Sequence, residues 1–428
     1  MPPLPPGILQ DCRQAVENLG MSKPASPKSA HIGIPAAILG AVSLLLVGSG
    51  VVVRQEADAR WHAMAAAAEA DRVAWEHQDF SRRPLWGEAT AGNAFESYGR
   101  MAALAGSFDR DDAQRRLAAL ATGRAAFDES GRALLEQWQP VVAEIRAGAR
   151  CGEARPLTRV QDGFQARVTN LLWVRAAVHA AGAMVRLHAA EDRPMEAVQL
   201  ALDTATVGGD LLRSPLLIEQ MIGAAVLAIP VKETLCEDVL AKLDKASLAL
   251  LAAGLERLDA HVPSVLPLQE SMLLAHGLLG SPVNLFKSAG VPTLSSWRYG
   301  FSARWMFAEA WRVVRDHERT HFQASQQPWT AREQSLKSSV EALALVPNPA
   351  LAVLVPNLTS AEHTMRTAVL ELRLLRLAVD VHLGNHELEL VDPLGNGAIQ
   401  RVEDPMGVRF TSAGQIGGKP MCRYAVKS

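Results

Sequence analysis

Aromatic residues are scarce in this chain, with three tyrosines and ten phenylalanines among 428 residues. Extended sheets draw on such side chains, so their scarcity beside abundant alanine and leucine excludes a large sandwich or barrel and predicts a mainly α body. An excess of either charge is missing as well: 43 basic residues face 45 acidic ones. A net charge of −2 creates no field that would hold nucleic acid, and no nucleic-acid partner is expected. Cysteine is sparse, and Cys12, Cys151, Cys236 and Cys422 form no C-x-x-C pair, which excludes a zinc knuckle or a redox motif. In an oxidising compartment one pair among Cys151, Cys236 and Cys422 could be bridged. Disorder is excluded over most of the length, because 49% of the residues are hydrophobic and 21% charged.

A long apolar run is present. Residues 32–53, IGIPAAILGAVSLLLVGSGVVV, hold no charged residue and are flanked by Lys28 and Arg54. As a helix rising ~1.5 Å per residue the run would be about 33 Å long, enough to cross the hydrocarbon layer of a bilayer. It exceeds the 7–15 residues typical of a signal-peptide core, so an anchor is expected. The A-x-A triplet Ala57-Asp58-Ala59 leaves removal of the run as the second reading. Arg13, Lys23 and Lys28 before the run balance Arg54, Arg60 and Arg72 after it, and the positive-inside rule therefore sets no orientation. A Pro-rich tail at 1–31 reads as disordered, so all the material able to fold lies beyond the run.

From Arg54 to about His386 the apolar spacing is helical. The Ala-rich stretch 54–80 continues the apolar run as helix, with Trp61 near the interface. Breaks rich in Pro and Gly fall at SRRPLWGE, GARCGEARP, EDRP, LLRSP and AGVPT. The clearest unit is an αα-hairpin, with one helix at about 170–190 and a second at about 195–209 that Pro194 opens. Its Leu187, Ala189, Ala190, Ala197 and Ala201 resemble the small-residue packing of a tetratricopeptide hairpin, although no 34-residue period recurs. LLIEQMIGAAVLAIPV, residues 216–231, reads as a central core helix whose Glu219 is within reach of Arg213. Glu270 is a second carboxylate in apolar surroundings.

One pentapeptide carries chemistry. His317-Glu318-Arg319-Thr320-His321 matches H-E-x-x-H, in which two His hold zinc and the Glu polarises a bound water. Met306, Ala310, Val313, His317 and His321 follow at spacings of three and four, so both imidazoles share one helix face. The surroundings depart from a zinc protease: Arg315 and Arg319 are cationic, and Glu318 and Asp316 have arginines three or four residues away. No downstream G-x-x-H supplies a third ligand, Glu333 and Glu341 being the acids that follow.

After the helix SAEHTMRTAVLELRLLRLAVDVHLG the texture changes. Asp392-Pro393-Leu394-Gly395 and Asp404-Pro405-Met406-Gly407 read as turns, and residues 408–412 and 420–426 as a closing β-hairpin. The order ELRLLRLAVDVHLG, DPMG, GGKPMCRY resembles the C-terminal part of type II secretion pseudopilins. It is also similar to a group of uncharacterised, membrane-anchored helical bacterial proteins with the same ending. The pseudopilin resemblance implies a calcium-holding loop, for which Asp392, Asn396, Glu403 and Asp404 carry the oxygens; read from the residues alone, they are ordinary turn formers.

The expected layout is a disordered tail (1–31), a transmembrane helix (32–53), an α-helical domain (54–386) and a small β segment (387–428). The expected role is a single-pass scaffold of the bacterial inner membrane with its bulk in the periplasm. It would contact lipid through 32–53 and bind other envelope proteins in a secretion or pilus-like setting, without catalysis or cofactor. The alternative is a membrane-tethered zinc hydrolase with His317 and His321 as ligands and Glu318 as base.

Overall fold

A computed structural model describes residues 33–108, 111–158, 171–263, 270–280, 301–344, 358–385, 387–395, 397–405, 407–416 and 419–426; the side chains of residues 33–47, 50, 326 and 404 are outside the description, as are a few at segment ends. The chain is mainly helical and ends in a small antiparallel sheet. It divides into two compact units, Met1–Glu56 and Ala57–Ser428, and the boundary falls within the first helix.

That helix, α1, runs unbroken over Gly33–Glu76, so the Ala-rich stretch does continue the apolar run as helix. Among the fully described residues no helix is long and apolar enough to cross a membrane. The run at 32–53 falls mostly on residues whose side chains are outside the description, as does the whole 1–31 tail with Cys12.

In the second unit, a short parallel pair, β1 (Thr90–Asn93) with β2 (Cys151–Glu153), frames α2 (Ala94–Gly106), α3 (Asp111–Ala121) and α4 (Glu129–Arg150). Local chemistry starts these helices: the Asn93 side chain accepts from Phe95 N, and that of Asp128 from Gly131 N. The predicted hairpin is present as α5 (Leu171–Ala190) and α6 (Pro194–Leu211), with Pro194 in the first turn of α6. Ala189, Ala197 and Ala201 are buried in it, whereas Ala190 is exposed. α7 (Leu217–Ala228) lies against α6 and opens at Ile229–Thr234 into a π-helical turn around Pro230, which lacks the N–H an α-helix needs. The short α8 (Glu237–Leu240) follows, and then α9 (Lys245–His261), which Asp244 caps through Ser247 N.

Next come α10 (Glu270–Gly280), α11 (Phe301–Gln323), α12 (Trp329–Ala344) and α13 (Leu358–His382). α13 stops at Gly384, whose φ of +76° is open to glycine without steric cost. The closing hairpin gains a strand: β3 (Gln400–Asp404), β4 (Gly407–Ile416) and β5 (Lys419–Val426) form an antiparallel sheet in that order. Its Val408, Phe410 and Ala425 join the core cluster that contains residues of α2 to α9, α12 and α13, so the sheet packs one side onto the helical body. A second cluster packs Met64 and Ala68 of α1 with α10 and with Met306, Ala310 and Val313 of α11, and Trp61 lies partly buried against it. The break at 289–293 and the turn residues Asn396 and Met406 lie outside the described residues.

Candidate functional site on the histidine helix

α11 presents its apolar stripe to the interior as the spacing requires, and His317 and His321 continue it, buried to 3% and 0% exposure. The two imidazoles meet different partners. His317 Nδ1 lies 2.7 Å from Ser339 Oγ of α12, while its buried Nε2 has no hydrogen-bond partner. Burial holds His317 below its ordinary pKa, so the ring is neutral near pH 7.

His321 enters a charged cluster built from three helices. Arg332 Nη2 of α12 lies 3.2 Å from His321 Nδ1 and 3.1 Å from Nε2, so the guanidinium is shared between the two ring nitrogens. The same nitrogen is 2.8 Å from Glu362 Oε2 of α13, and Arg366, one turn on, donates to Glu362 Oε1 at 2.8 Å. Glu362 Oε2 is also 3.1 Å from His321 Nδ1, a geometry that alone would favour an imidazolium. Burial and the neighbouring Arg332 outweigh it and push the His321 pKa down to about 3. With a neutral imidazole the cluster carries one carboxylate against two guanidiniums. A divalent cation added here would meet net positive charge at low dielectric.

Glu318 points elsewhere. Its expected place on a solvated face is a mistake of local reading: the side chain is 5% exposed. Its oxygens accept from Ser271 N at 2.9 Å and from Ser271 Oγ at 2.5 Å, in the first described turn of α10. A carboxylate there satisfies an otherwise unpaired helix N–H and faces the positive end of the helix dipole. Arg315 reaches Asp71 of α1 at 3.1 Å and lies over the Trp311 ring. Asp316 behaves as predicted, paired with Arg312 at 2.8 Å and with Arg319 at 3.7 Å. Between α1, α10 and α11 a cavity of about 260 Å³ remains, lined in part by Asp71, Ser271, Met272, Arg315, Arg319 and Phe322.

The helix therefore brings His317 and His321 to one face and turns Glu318 toward another helix, away from any atom the two could share. Among the described residues no group of three or more His, Cys, Asp or Glu side chains is arranged to hold a metal ion. Of the two acids considered downstream, Glu333 pairs with Lys337 at 2.8 Å and Glu341 is exposed. The acid that does meet His321 is Glu362, which the pentapeptide gives no reason to select. Its one local signal is Arg366, four residues on.

The other singled-out carboxylates also have structural partners. Glu219, buried to 1%, accepts from the hydroxyl of Ser214 in the connection just before α7. The side chain of Glu270 lies outside the described residues. Asp392, named for calcium, accepts from Leu394 N at 2.9 Å, Ser412 Oγ at 2.7 Å and Ala413 N at 2.8 Å. Those donors staple the D-P-L-G turn to β4 and use both oxygens. Glu403 pairs with Arg401 at 2.7 Å. Cys151, Cys236 and Cys422 are free thiols.

A second polar centre escaped sequence reading. Asp210 of α6, with no exposed surface, accepts from Tyr98 Oη at 2.6 Å and lies 3.2 Å from His261 Nε2 and 3.4 Å from Arg82. Two turns earlier Asp203 accepts from Trp86 Nε1 at 2.8 Å and meets Arg150 at 3.3 Å, but its second oxygen is buried without a hydrogen bond. Burial prevails there over Arg150 and raises the Asp203 pKa to about 6. Comparison with known families, with curated proteins and with solved structures finds no match for this chain.

Proposed function

We propose that the protein is a single-pass, non-catalytic scaffold of the bacterial inner membrane. Residues 32–53 would cross the bilayer, and the helical body, on the periplasmic side, would bind other envelope proteins. The observation that carries this reading is α1. One continuous helix, Gly33–Glu76, contains both the charge-free run and the core residues Met64 and Ala68, which are fully buried. An apolar run of membrane-spanning length at the head of such a helix suits an anchor better than a removable signal.

Two further features support the scaffold. The α5/α6 hairpin buries Ala189, Ala197 and Ala201; its resemblance to a tetratricopeptide hairpin supports a role in presenting helical surfaces to other proteins. The closing segment, with its resemblance to pseudopilins, suits a secretion or pilus-like setting. The zinc-hydrolase reading has weaker support: His317 Nε2 is unpartnered, but Arg332 stands against His321, and Glu318 is turned to Ser271.

Two measurements test the proposal. Alkaline washing should leave the full chain in the membrane fraction and release a form lacking 32–53. Alkaline phosphatase fused after Ser428 should be active, since it needs an exported environment; a fusion active only with a cytoplasmic reporter would reverse the orientation.

A further inference from the structure

We propose that the cavity between α1, α10 and α11 binds a small organic carboxylate with an apolar group attached. Its volume of about 260 Å³ lies just below the range of drug-sized sites, which limits the ligand to a short molecule. One wall is apolar. Met272 is buried there, and Phe322 stands 42% exposed, a large aromatic face left open at the same cavity. Water against such a face is readily displaced by an aliphatic group.

The charges select the head group. Both carboxylates of the lining already have donors: Asp71 is held by Arg315, and Glu318 by the amide and hydroxyl of Ser271. Arg319 makes no hydrogen bond among the described residues. Its nearest carboxylate, Asp316, is 3.7 Å away and is already bonded to Arg312 at 2.8 Å. The group with donors to offer is therefore a guanidinium, whose planar fork matches a carboxylate in two parallel hydrogen bonds. Its side chain is 61% exposed, so little hydration is lost when an anion docks on it. Asp71 and Glu318 close by disfavour a dianion such as phosphate, and the Phe322 wall disfavours a bare inorganic ion. A monoanion with an aliphatic tail satisfies both. It can come from a free short-chain acid or from the carboxyl end of a polypeptide. Every lining residue lies at or beyond Asp71, so binding does not depend on whether 32–53 spans a membrane.

The test uses the full chain in a non-ionic detergent, with ligand-observed saturation-transfer NMR and calorimetry. N-acetylleucine stands for the end of a polypeptide, octanoate for the free acid, and N-acetylleucinamide removes the charge. Saturable binding of either acid, without binding of the amide, is expected, and which acid binds identifies the source. Arg319→Gln should weaken binding at least about tenfold, the size of one charge-assisted hydrogen bond, while Arg115→Gln, at an exposed residue of α3 outside the lining, should leave it unchanged. Equal binding by wild type and Arg319→Gln, equal binding of acid and amide, or no saturation by about 10 mM would each overturn the proposal.

Discussion

Arg332 and Glu362 lie 2.8 Å apart with neither side chain exposed to solvent. The pair joins α12 to α13, and His321 of α11 leans on both partners. An ion pair in such a place returns little net stability compared with apolar residues of the same size, but removing one partner leaves the other charged and buried. Arg332→Met alone and Glu362→Leu alone are each expected to lose about 3–5 kcal/mol. The double variant should lose less than the sum, because it leaves neither member of the pair alone. Equilibrium unfolding in urea measures all three, and strictly additive losses would show that the two are uncoupled.

The same arrangement predicts the behaviour of the H-E-x-x-H sequence toward zinc. With Arg332 beside His321, and Glu318 bonded to Ser271, purified full-length protein should hold well under one zinc per chain. His317→Ala should leave that content unchanged. Glu318→Ala should instead act on stability, lowering it by about 1–2 kcal/mol through loss of the acceptor at the start of α10. Metal analysis by mass spectrometry decides the first point and thermal unfolding the second. Stoichiometric zinc lost on His317→Ala would restore the hydrolase reading.

Asp203 should be visible as a pH dependence. Its folded pKa of about 6 lies above the ordinary aspartate value of 3.8, so between about pH 4 and pH 6 the folded state binds more protons than the unfolded one. Stability from this group is present below about pH 4 and falls as pH rises to about 6. His321 pulls the opposite way, since its folded pKa is lowered and its contribution is lost as pH falls below its ordinary value of 6.5. The contribution of Asp203 is isolated by Asp203→Asn, which keeps an acceptor for Trp86. Relative to wild type the variant should gain up to about 3 kcal/mol as pH rises from about 4 to 6, and nothing further above. A flat difference would mean that Asp203 has an ordinary pKa.

Legibility of the sequence followed the range of the interaction. The α5/α6 hairpin could be placed within two residues because Pro194, the EDRP break and the apolar period are all local. The shared face of His317 and His321 was readable for the same reason, helical spacing being a property of one segment. Their partners were not: Ser339, Arg332 and Glu362 lie 22, 11 and 41 residues from the histidines they meet, and Ser271 is 47 residues from Glu318. No pattern within α11 encodes them. Glu318 has an arginine three residues away, which on local grounds is partner enough to place it in solvent. Asp203 and Asp210 sit on a helix that is buried almost throughout from Ala197 onward, but the aspartates alone do not name the Tyr98, Trp86, Arg82 and His261 they meet.

A close helix crossing gives the last prediction. α6 and α7 meet at Gly208 and Gly223. A Cβ on Gly208 would come 2.7–2.8 Å from the backbone and Cβ of Leu227, and one on Gly223 would come 2.7 Å from Leu212 N and 2.9 Å from Gly208 O. These neighbours are mostly backbone atoms of packed helices and cannot swing aside as a flexible side chain would. Alanine normally stabilises a helix by about 0.5–1 kcal/mol over glycine, through the entropy of the unfolded chain. Overpacking works against that gain by about 1–3 kcal/mol. Gly208→Ala and Gly223→Ala should therefore both lower the unfolding midpoint. Gly99→Ala supplies the control, since it is helical and nothing lies within 4 Å of its added Cβ. That substitution should raise the midpoint by the entropic gain alone. If all three changed stability in the same direction, the backbone contact between α6 and α7 would not be what fixes glycine at 208 and 223.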